Sequence, residues 1–396
     1  MITIPLDANY IHCLNYSTSF TSIGSNMGSL PSPPPQPPPP ENSTSEYRVC
    51  VSFCSRAPAS SESNSSNWIE CYNPSDNTWH CIGTIPGLAG DHVLKDFAMV
   101  AVRGSIYIIG GRRCRKEGGG DGDEVEEVDL EVLPNVWRYN VINDEWCQCA
   151  PLGTPRFDFA CTVSEGKIYV AGGQCKIGSA RGISSAEVYD PALDEWTKLP
   201  NMSTLRYKCV GVTWQGKIYV VGGFAEREDS DRSVLFRTEM SSAEVFDTWR
   251  GEWDLKQGMW KLEVPPNQIV AVDDKLYSSG DCLNTWKGHV ESYEGRLNIW
   301  NVVDRSNLRD FSSPFATSDS IDAIEPVIQR IYLTMAPIGT QLYFLAGYRL
   351  PGELFRFMSA VHTFNTSAGD AWRSFEPKEE ERDKELCGHC CVVQVS

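Results

Sequence analysis

The chain has 396 residues, 41% of them hydrophobic, and a formal net charge of -17 at pH 7. That length can form one large repeat domain, and the acidic balance argues against a protein that binds a nucleic-acid backbone, because such proteins display basic patches that displace counterions. The sequence has no apolar run of about 18 residues or more, which would predict a membrane span. It also has no basic N-terminal segment followed by an apolar one, which would predict a secretory signal.

The charge and the cysteines also bear on where the protein acts. The acidic balance keeps the chain soluble, and it would favour a basic partner surface. Fifteen cysteines, an odd number at irregular spacing, occur without a secretory signal, which is typical of reduced thiols inside the cell. We therefore expect a protein of the cytoplasm, of the nucleus or of both.

The first 45 residues differ in composition from the rest. Prolines crowd the stretch from Pro31 to Pro40, and serine and asparagine flank it. Such a segment favours a polyproline II rod and cannot build a core, so residues 1–45 are predicted to form a disordered tail. The tail is either a plain linker or a docking site for a proline-binding groove.

From Tyr47 onward the sequence repeats itself. "GKIYVAGG" at 166–173 returns as "GKIYVVGG" at 216–223, and related segments occupy 104–111, 274–280 and 340–347. A tryptophan recurs a few residues after each following strand-like run. The six are Trp79, Trp146, Trp196, Trp253, Trp300 and Trp372. Self-similarity at this spacing predicts a stacked or circular repeat fold with six units, each of four short strands.

The glycine pairs close the second strand of their units. Three units keep both glycines. They are Gly110 and Gly111, Gly172 and Gly173, and Gly222 and Gly223. A missing Cβ lets neighbouring backbone approach closely and permits a positive φ where the chain turns away, while the tryptophans supply large surfaces to bury between units.

These segments resemble the kelch repeat, in which a strand ends in Gly-Gly and a spaced tryptophan opens the fourth strand. The resemblance covers about residues 47–396 and is strongest over 97–253; the first unit has "YRVCVSFCSR" in place of the glycines. It implies an all-β fold, a six-bladed β-propeller over residues 46–396 with four antiparallel strands per blade. The first unit lacks a first strand, so we expect residues 387–396 to return as its innermost strand and close the ring.

In such blades the loops after strands two and four share one face, and here they are long and varied. This asymmetry favours a recognition face for a protein partner, although tolerated surface insertions would look the same. By resemblance to kelch propellers that bind acidic peptides, five arginines are candidate partner contacts. They are Arg156, Arg206, Arg181, Arg349 and Arg356. Each could instead hold a carbonyl or a carboxylate between blades.

The first long loop, 112–135, combines a basic block at Arg112 to Lys116 with an acidic one at Asp121 to Glu131. We expect this loop to be mobile, and it either binds in trans or folds back on itself.

Catalytic motifs are scarce. "CGHC" at 387–390 copies a redox tetrad, but a strand follows it where a helix is needed, and alternation along that strand would separate Cys387, His389, Cys390 and Cys391 as zinc ligands. No phosphate-binding loop, zinc-protease helix or nucleophile elbow occurs in the sequence. We therefore expect no enzyme and no cofactor; the alternative is a propeller enzyme acting on a small molecule with a metal in its central channel.

The sequence is similar to the propeller halves of plant F-box/kelch proteins, which select substrates for ubiquitination. It has no recognisable F-box, since the proline-rich segment lacks a helical apolar period. The resemblance implies a non-catalytic protein-interaction module, with an adaptor role in ubiquitination and a ubiquitin-ligase component among its partners. We expect it to bind neither nucleic acid nor membranes.

Overall fold

The computed structural model describes a large part of the chain. The described ranges are 46–56, 66–118, 125–227, 240–262, 264–280, 290–303, 329–350, 356–367, 372–380 and 383–395. The predicted tail, residues 1–45, lies outside them. Regular structure within these ranges is β-strand, and most strands belong to antiparallel sheets of four. The predicted all-β class is confirmed.

Six sheets share one plan, in which four strands pair in an antiparallel ladder. We call the strand given first for each sheet its innermost strand and the strand given last its outermost strand. The first sheet contains β30 (Lys384–Val395), β1 (Glu46–Ser55), β2 (Trp68–Asn73) and β3 (Thr78–Thr84). The second contains β5 (Ala98–Val102), β6 (Ser105–Ile109), β9 (Val136–Asn140) and β10 (Glu145–Cys149). The third contains β11 (Ala160–Ser164), β12 (Lys167–Ala171), β13 (Ala186–Asp190) and β14 (Glu195–Leu199).

The fourth sheet contains β16 (Val210–Trp214), β17 (Lys217–Val221), β19 (Ala243–Asp247) and β20 (Glu252–Lys256). The fifth contains β21 (Ile269–Val272), β22 (Lys275–Ser278), β23 (Glu291–Glu294) and β24 (Ile299–Val302). The sixth contains β25 (Gln329–Ile338), β26 (Gln341–Leu350), β27 (Arg356–Asn365) and β28 (Trp372–Ser374), and β29 (Lys378–Glu380) also pairs with β27.

Two smaller sheets extend this plan. One has the order β4 (His92–Lys95), β7 (Arg112–Gly118) and β8 (Val125–Val132), and the other pairs β15 (Thr204–Tyr207) with β18 (Phe224–Arg227). The loop predicted to be mobile is thus, in its described part, a hairpin that folds back on itself. Ion pairs such as Arg113–Glu131 at 2.7 Å hold its two strands together, because opposite charges face each other across the ladder.

The first sheet combines both ends of the described chain. β30 pairs antiparallel with β1, from Val395 opposite Glu46 to Lys384 opposite Ser55, and the register shifts near Ser52. β30 is also the innermost strand of this sheet, and it contacts the innermost strands β5 and β25 of the second and sixth sheets.

The core lies between sheets. Each consecutive pair of sheets, including the sixth and the first, shares a buried hydrophobic cluster. Representative pairs are Ile69 with Ile106, Tyr107 with Tyr189, Ala171 with Val220, Val221 with Leu276, Tyr277 with Phe344 and Leu345 with Val51. Burying both faces of every sheet in this way is what makes a short four-stranded sheet stable.

The repeated tryptophans stand at the start of the outermost strands. Each stacks on an aromatic residue of the third strand, with ring centroids 5.0 to 5.2 Å apart, as in Tyr189–Trp196 at 5.0 Å. Trp196 also donates its indole N–H to the Ala150 carbonyl at 2.9 Å, and Trp253 does the same to Pro200 at 2.8 Å. The tryptophan therefore fastens its sheet to the connection that precedes it.

The glycine pairs occupy positions that other residues would strain. Gly172 and Gly173 have φ of 70° and 91°, and a Cβ would lie 2.8 Å from the Arg206 carbonyl at Gly172 and 2.7 Å from the Phe157 carbonyl at Gly173. Both the left-handed backbone and the close approach of the neighbouring connection require glycine there.

One pair of cysteines departs from the sequence expectation. Cys50 on β1 faces Cys71 on β2 in the ladder, and their sulfurs form a disulfide. The prediction that the thiols are reduced does not hold for this pair. Eleven other described cysteines are free.

Candidate recognition face

The two ends of the six sheets carry very different connections. At one end, first and second strands join through two-residue turns such as 165–166 and 215–216, and third and fourth strands through four-residue turns such as 191–194. At the other end, second and third strands join through longer connections. These are 56–67, 110–135, 172–185, 222–242, 279–290 and 351–355, of which 57–65, 119–124, 228–239, 281–289 and 351–355 lie outside the described residues. We call this end the long-loop face.

Arg156 lies on the connection that leads into β11, at the long-loop face, but its side chain is fully buried. The guanidinium donates to the Gly172 carbonyl at 2.8 Å, to the Ser185 carbonyl at 2.9 Å and to Glu187 Oε1 at 2.7 Å. Glu187 in turn accepts the backbone N–H groups of Gly153 and Thr154. The arginine therefore ties the connection that leads into β11 to both ends of the 172–185 connection and to β13.

Arg206 repeats this arrangement one sheet further on. It is fully buried on β15 and donates to the Gly222 carbonyl at 2.9 Å, the Ser242 carbonyl at 3.2 Å and the Thr204 hydroxyl at 2.7 Å. The equivalence of Arg156 and Arg206 expected from the repeat is present. Their burial favours the second role considered from sequence, in which the guanidinium holds carbonyls and, for Arg156, a carboxylate, over direct contact with a partner, because no guanidinium surface reaches solvent.

The other three candidate arginines are at the surface of the long-loop face. Each already has an acidic neighbour: Arg181 pairs with Glu226, Arg349 with Asp383 at 2.6 Å and Arg356 with Glu379 at 2.8 Å. Their side chains are 36%, 28% and 58% exposed. Arg181 belongs to the third sheet and the other two to the sixth, so the structure does not bring the five predicted arginines into one cluster.

A second set of residues at this face escaped the sequence analysis. Asp96, Asp158 and Lys208 each stand two residues before the first residue of an innermost strand, and each has a left-handed backbone, with φ of 54°, 54° and 52°. The Asp158 N–H donates to the Asp96 carbonyl at 3.1 Å, and the Lys208 N–H donates to the Asp158 carbonyl at 2.7 Å. Asp158 and Lys208 stand two residues after Arg156 and Arg206, and this repeated offset is the signal that could have found them.

The carboxyl of Asp158 is in an unusual environment. Burial and the nearby charge of Asp96 raise its pKa to about 7, although Lys208 and Arg112 oppose the change. Arg112 donates from Nε to the Asp96 carboxylate at 2.5 Å. The inner rim of the long-loop face thus combines carboxylates and cations, and one carboxyl changes its charge near neutral pH.

The C-terminal Cys and His residues do not converge. Cys387 and Cys391 pack into the cluster shared with the second sheet, Cys390 into the cluster shared with the sixth, and His389 is exposed. In the part of the chain that the structure describes, no group of three or more His, Cys, Asp or Glu residues is arranged to hold a metal ion. Nor does any helix among the described residues have the length and apolarity to cross a membrane.

Comparison with known proteins gives the same repeat. A family model for the Kelch motif matches residues 59–86, 155–203 and 205–259. F-box/kelch-repeat protein SKIP30 of Arabidopsis thaliana is 29% identical over 253 residues, which are 62% of this chain and 61% of that protein. A second F-box/kelch-repeat protein of Arabidopsis thaliana is 34% identical over 130 residues, 33% of this chain and 32% of that protein.

Kelch-like protein 21 of Homo sapiens is 24% identical over 277 residues, 60% of this chain and 40% of that protein. The aligned region spans from about a third to about three fifths of the length of these relatives.

Proposed function

Because a family model for the Kelch motif matches three segments of this chain, we propose that its six four-stranded sheets are the blades of a closed six-bladed propeller, and that the propeller recognises a protein partner. The hydrophobic cluster shared by each consecutive pair of sheets, including the sixth and the first, supports the ring. So does the pairing of β30 with β1, which joins the two ends of the described chain without leaving an open inner edge.

The recognition proposal rests on the difference in connection length between the two ends of the sheets. One end has only two- and four-residue turns at its described hairpins, whereas the long-loop face has extended connections and the additional sheet β4–β7–β8. Elaborate loops on a rigid repeat scaffold are where binding residues concentrate. We therefore propose a non-catalytic interaction module.

Surface arginines are the proposed contacts of this face. Arg181, Arg349 and Arg356 each hold a carboxylate of the same chain, and a carboxylate of a partner could replace it with little change in electrostatic energy. Arg156 and Arg206 are buried beneath this surface, where their hydrogen bonds fix the shape of the loops. The proposed partner segment is therefore acidic.

We further propose an adaptor role linked to ubiquitination. The support is the names of the matched relatives, two F-box/kelch-repeat proteins and a Kelch-like protein. In this proposal the long-loop face selects the partner, and another surface or subunit provides the link to a ubiquitin ligase.

Proximity labelling in cells tests both parts. The wild type is compared with the triple variant Arg181→Ala, Arg349→Ala, Arg356→Ala and with a matched control on the opposite end, Arg250→Ala, Arg296→Ala, after all three are shown to melt alike. Partners lost only from the triple variant support recognition by the long-loop face. Identical lists for the wild type and the triple variant contradict it. Ubiquitin-ligase subunits retained in all three lists support the adaptor role, and their absence from the wild-type list argues against it.

A further inference from the structure

The cluster between the first and second sheets is rich in cysteine. Six buried cysteines contribute to it, and they are Cys50, Cys54, Cys71, Cys114, Cys387 and Cys391. Cys50 and Cys71 are joined in a disulfide, and the other four are free. Two of the free thiols, Cys54 on β1 and Cys387 on β30, lie on the strands that bring the two ends of the described chain together.

Cys54 and Cys387 are neighbours in this ladder. Cys54 is opposite Glu385 in the ladder, Cys387 follows two residues later on the same strand, and both side chains lie in the buried cluster between the first and second sheets. Both thiols also contact Glu385: Cys54 donates to its carboxylate at 3.3 Å, and Cys387 donates to its backbone carbonyl at 3.7 Å. The two cysteines are therefore close neighbours on paired strands.

Two lysines from other strands reach the same point. Lys116 of β7 donates to the Cys54 sulfur at 3.5 Å and to the Ser55 carbonyl, and it also pairs with Glu385. Lys95 of β4 pairs with Glu385 at 2.7 Å and with Glu127 at 3.2 Å. Both lysine side chains are at least nine-tenths buried. Buried ammonium groups beside a sulfur stabilise its thiolate form.

The contrast with the other thiols is clear. The neighbouring Cys387 thiol and the charges of the two lysines lower the pKa of Cys54, although burial and the charge of Glu385 oppose this. Burial raises the pKa of Cys114, Cys209 and Cys390 to about 11 in each case. Because the thiolate is the form that reacts with peroxides and disulfides, Cys54 differs from its buried neighbours in reactivity.

We propose that Cys54 and Cys387 form an oxidation site, at which a peroxide converts the thiol pair into a disulfide that links β1 to β30. The Cys54 thiolate attacks one peroxide oxygen, the O–O bond breaks, and with a proton this gives a Cys54 sulfenic acid and water. The Cys387 sulfur then attacks the Cys54 sulfur, the S–O bond breaks, and the thiol proton leaves with the hydroxyl as a second water. Two electrons pass from the two thiols to the peroxide.

The position of this bond gives it a structural consequence. Cys54 and Cys387 are near opposite ends of the sequence, so the disulfide closes nearly the whole propeller in one covalent loop. A long closed loop restricts the unfolded chain strongly. Oxidation would thus stabilise the junction on which the proposed ring depends, whether or not the long-loop face binds the proposed partner.

The test uses the full chain, reduced and freed of reductant, then treated with hydrogen peroxide and with an alkylating quench. We expect peptide mass spectrometry without reduction to find Cys54 linked to Cys387 in the wild type and in Cys114→Ser, a control thiol of the same cluster. We expect the oxidised wild type to melt about 5 °C or more above identically treated Cys387→Ser. Both proteins pass through the same reduction and oxidation, so the Cys50–Cys71 pair is treated alike in the two.

A variant that keeps both thiols tests the role of the lysine. Lys116→Met retains most of the buried side-chain volume and removes the charge, and we expect it to form the Cys54–Cys387 link several-fold more slowly. The proposal is overturned if the oxidised wild type contains no Cys54–Cys387 peptide, or if Cys50 becomes linked to Cys391, its opposite residue on β30, instead. An unchanged rate in Lys116→Met would contradict the assigned charge effect.

Discussion

The third and fourth sheets and the junction of the first sheet hold their long-loop ends in two different ways. In the third and fourth sheets a buried arginine, Arg156 or Arg206, binds carbonyls and hydroxyls within about forty residues of itself. At the first sheet a buried lysine, Lys384, binds Glu70 at 2.8 Å and Glu380 at 3.0 Å and lies 4.3 Å from the centre of the Phe53 ring.

The difference lies in which parts of the chain must meet. The arginine holds a loop to its own repeat, and the interaction recurs in the third and fourth sheets. The second sheet keeps the glycine pair and the tryptophan but has Leu94 at the position of the arginine. The lysine instead joins segments that are 314 residues apart. The local brace therefore stabilises single sheets, whereas Lys384 and the pairing of β30 with β1 hold the two ends of the described chain together.

Removing β30 should have the largest effect. Deletion of residues 387–396 takes away most of the strand that pairs with β1, exposes its buried partners and leaves an open edge on the first sheet. We expect the variant to lose its cooperative melting transition or to melt at least 10 °C lower. Thermal unfolding followed by circular dichroism measures this. Deletion of residues 1–45, the tail predicted from sequence, is the matched control, and an unchanged transition in both variants contradicts the closing role of β30.

Loss of one local brace should have a smaller but still large effect. Arg156→Met leaves Glu187 buried without its cation, which we expect to lower the free energy of unfolding by about 3 to 5 kcal/mol. Denaturant unfolding measures it. In the double variant Arg156→Met, Glu187→Leu, part of the loss should be recovered, because no uncompensated charge remains. A double variant as unstable as the single one would mean that packing, not the ion pair, dominates at this site.

The sequence predicts the repeated part of this fold well. The glycine pairs, the tryptophans and the equivalence of Arg156 and Arg206 follow from a spacing that recurs, and a recurring residue has the same environment each time. The lysine clusters could not be predicted. Lys384 and Glu70 are 314 residues apart, and their meeting depends on the pairing of β30 with β1.

The candidate site was predicted less well than the fold. The sequence places Arg156 and Arg206 at the long-loop end, but it does not show whether each guanidinium is buried beneath the loops or faces solvent. The burial of each guanidinium depends on the acceptors around it, which are Glu187 for Arg156 and the backbone carbonyls at the glycine pairs for both arginines. These acceptors provide more hydrogen bonds than a solvent-facing position would. A recurrent arginine in a repeat is therefore as consistent with loop architecture as with recognition.

Asp158 should give a modest effect that depends on pH. Its folded pKa of about 7 is above the ordinary value of 3.8, so the folded state keeps a proton that the unfolded state releases. This group therefore makes the free energy of unfolding fall as the pH rises from about 4 to about 7. Asp158→Asn should flatten that slope and gain about 1 kcal/mol over the wild type at pH 8, after allowance for partial exposure. Denaturant unfolding from pH 5 to pH 8 measures the slope.

A carboxyl at the opposite end provides the control for this experiment. Asp254 is on β20, 61% exposed, and pairs with Arg250 at 3.5 Å. Asp254→Asn should keep the wild-type slope between pH 5 and pH 8. If Asp158→Asn also keeps it, the carboxyl is not held in the protonated form at the rim.

The surface arginines should have the smallest effect on stability, and this separates the two kinds of arginine at the long-loop face. Arg356 is 58% exposed and pairs with an equally exposed Glu379, so Arg356→Ala should shift the melting temperature by less than about 2 °C. Arg206→Ala, by contrast, removes a side chain that is fully buried. It should lower the melting temperature severalfold more than Arg356→Ala does. A side chain that contributes little to folding can be replaced without disturbing the loops around it, so loss of a partner in Arg356→Ala would report on recognition itself. Loss of the same partner in Arg206→Ala would not, because the shape of the face changes with it.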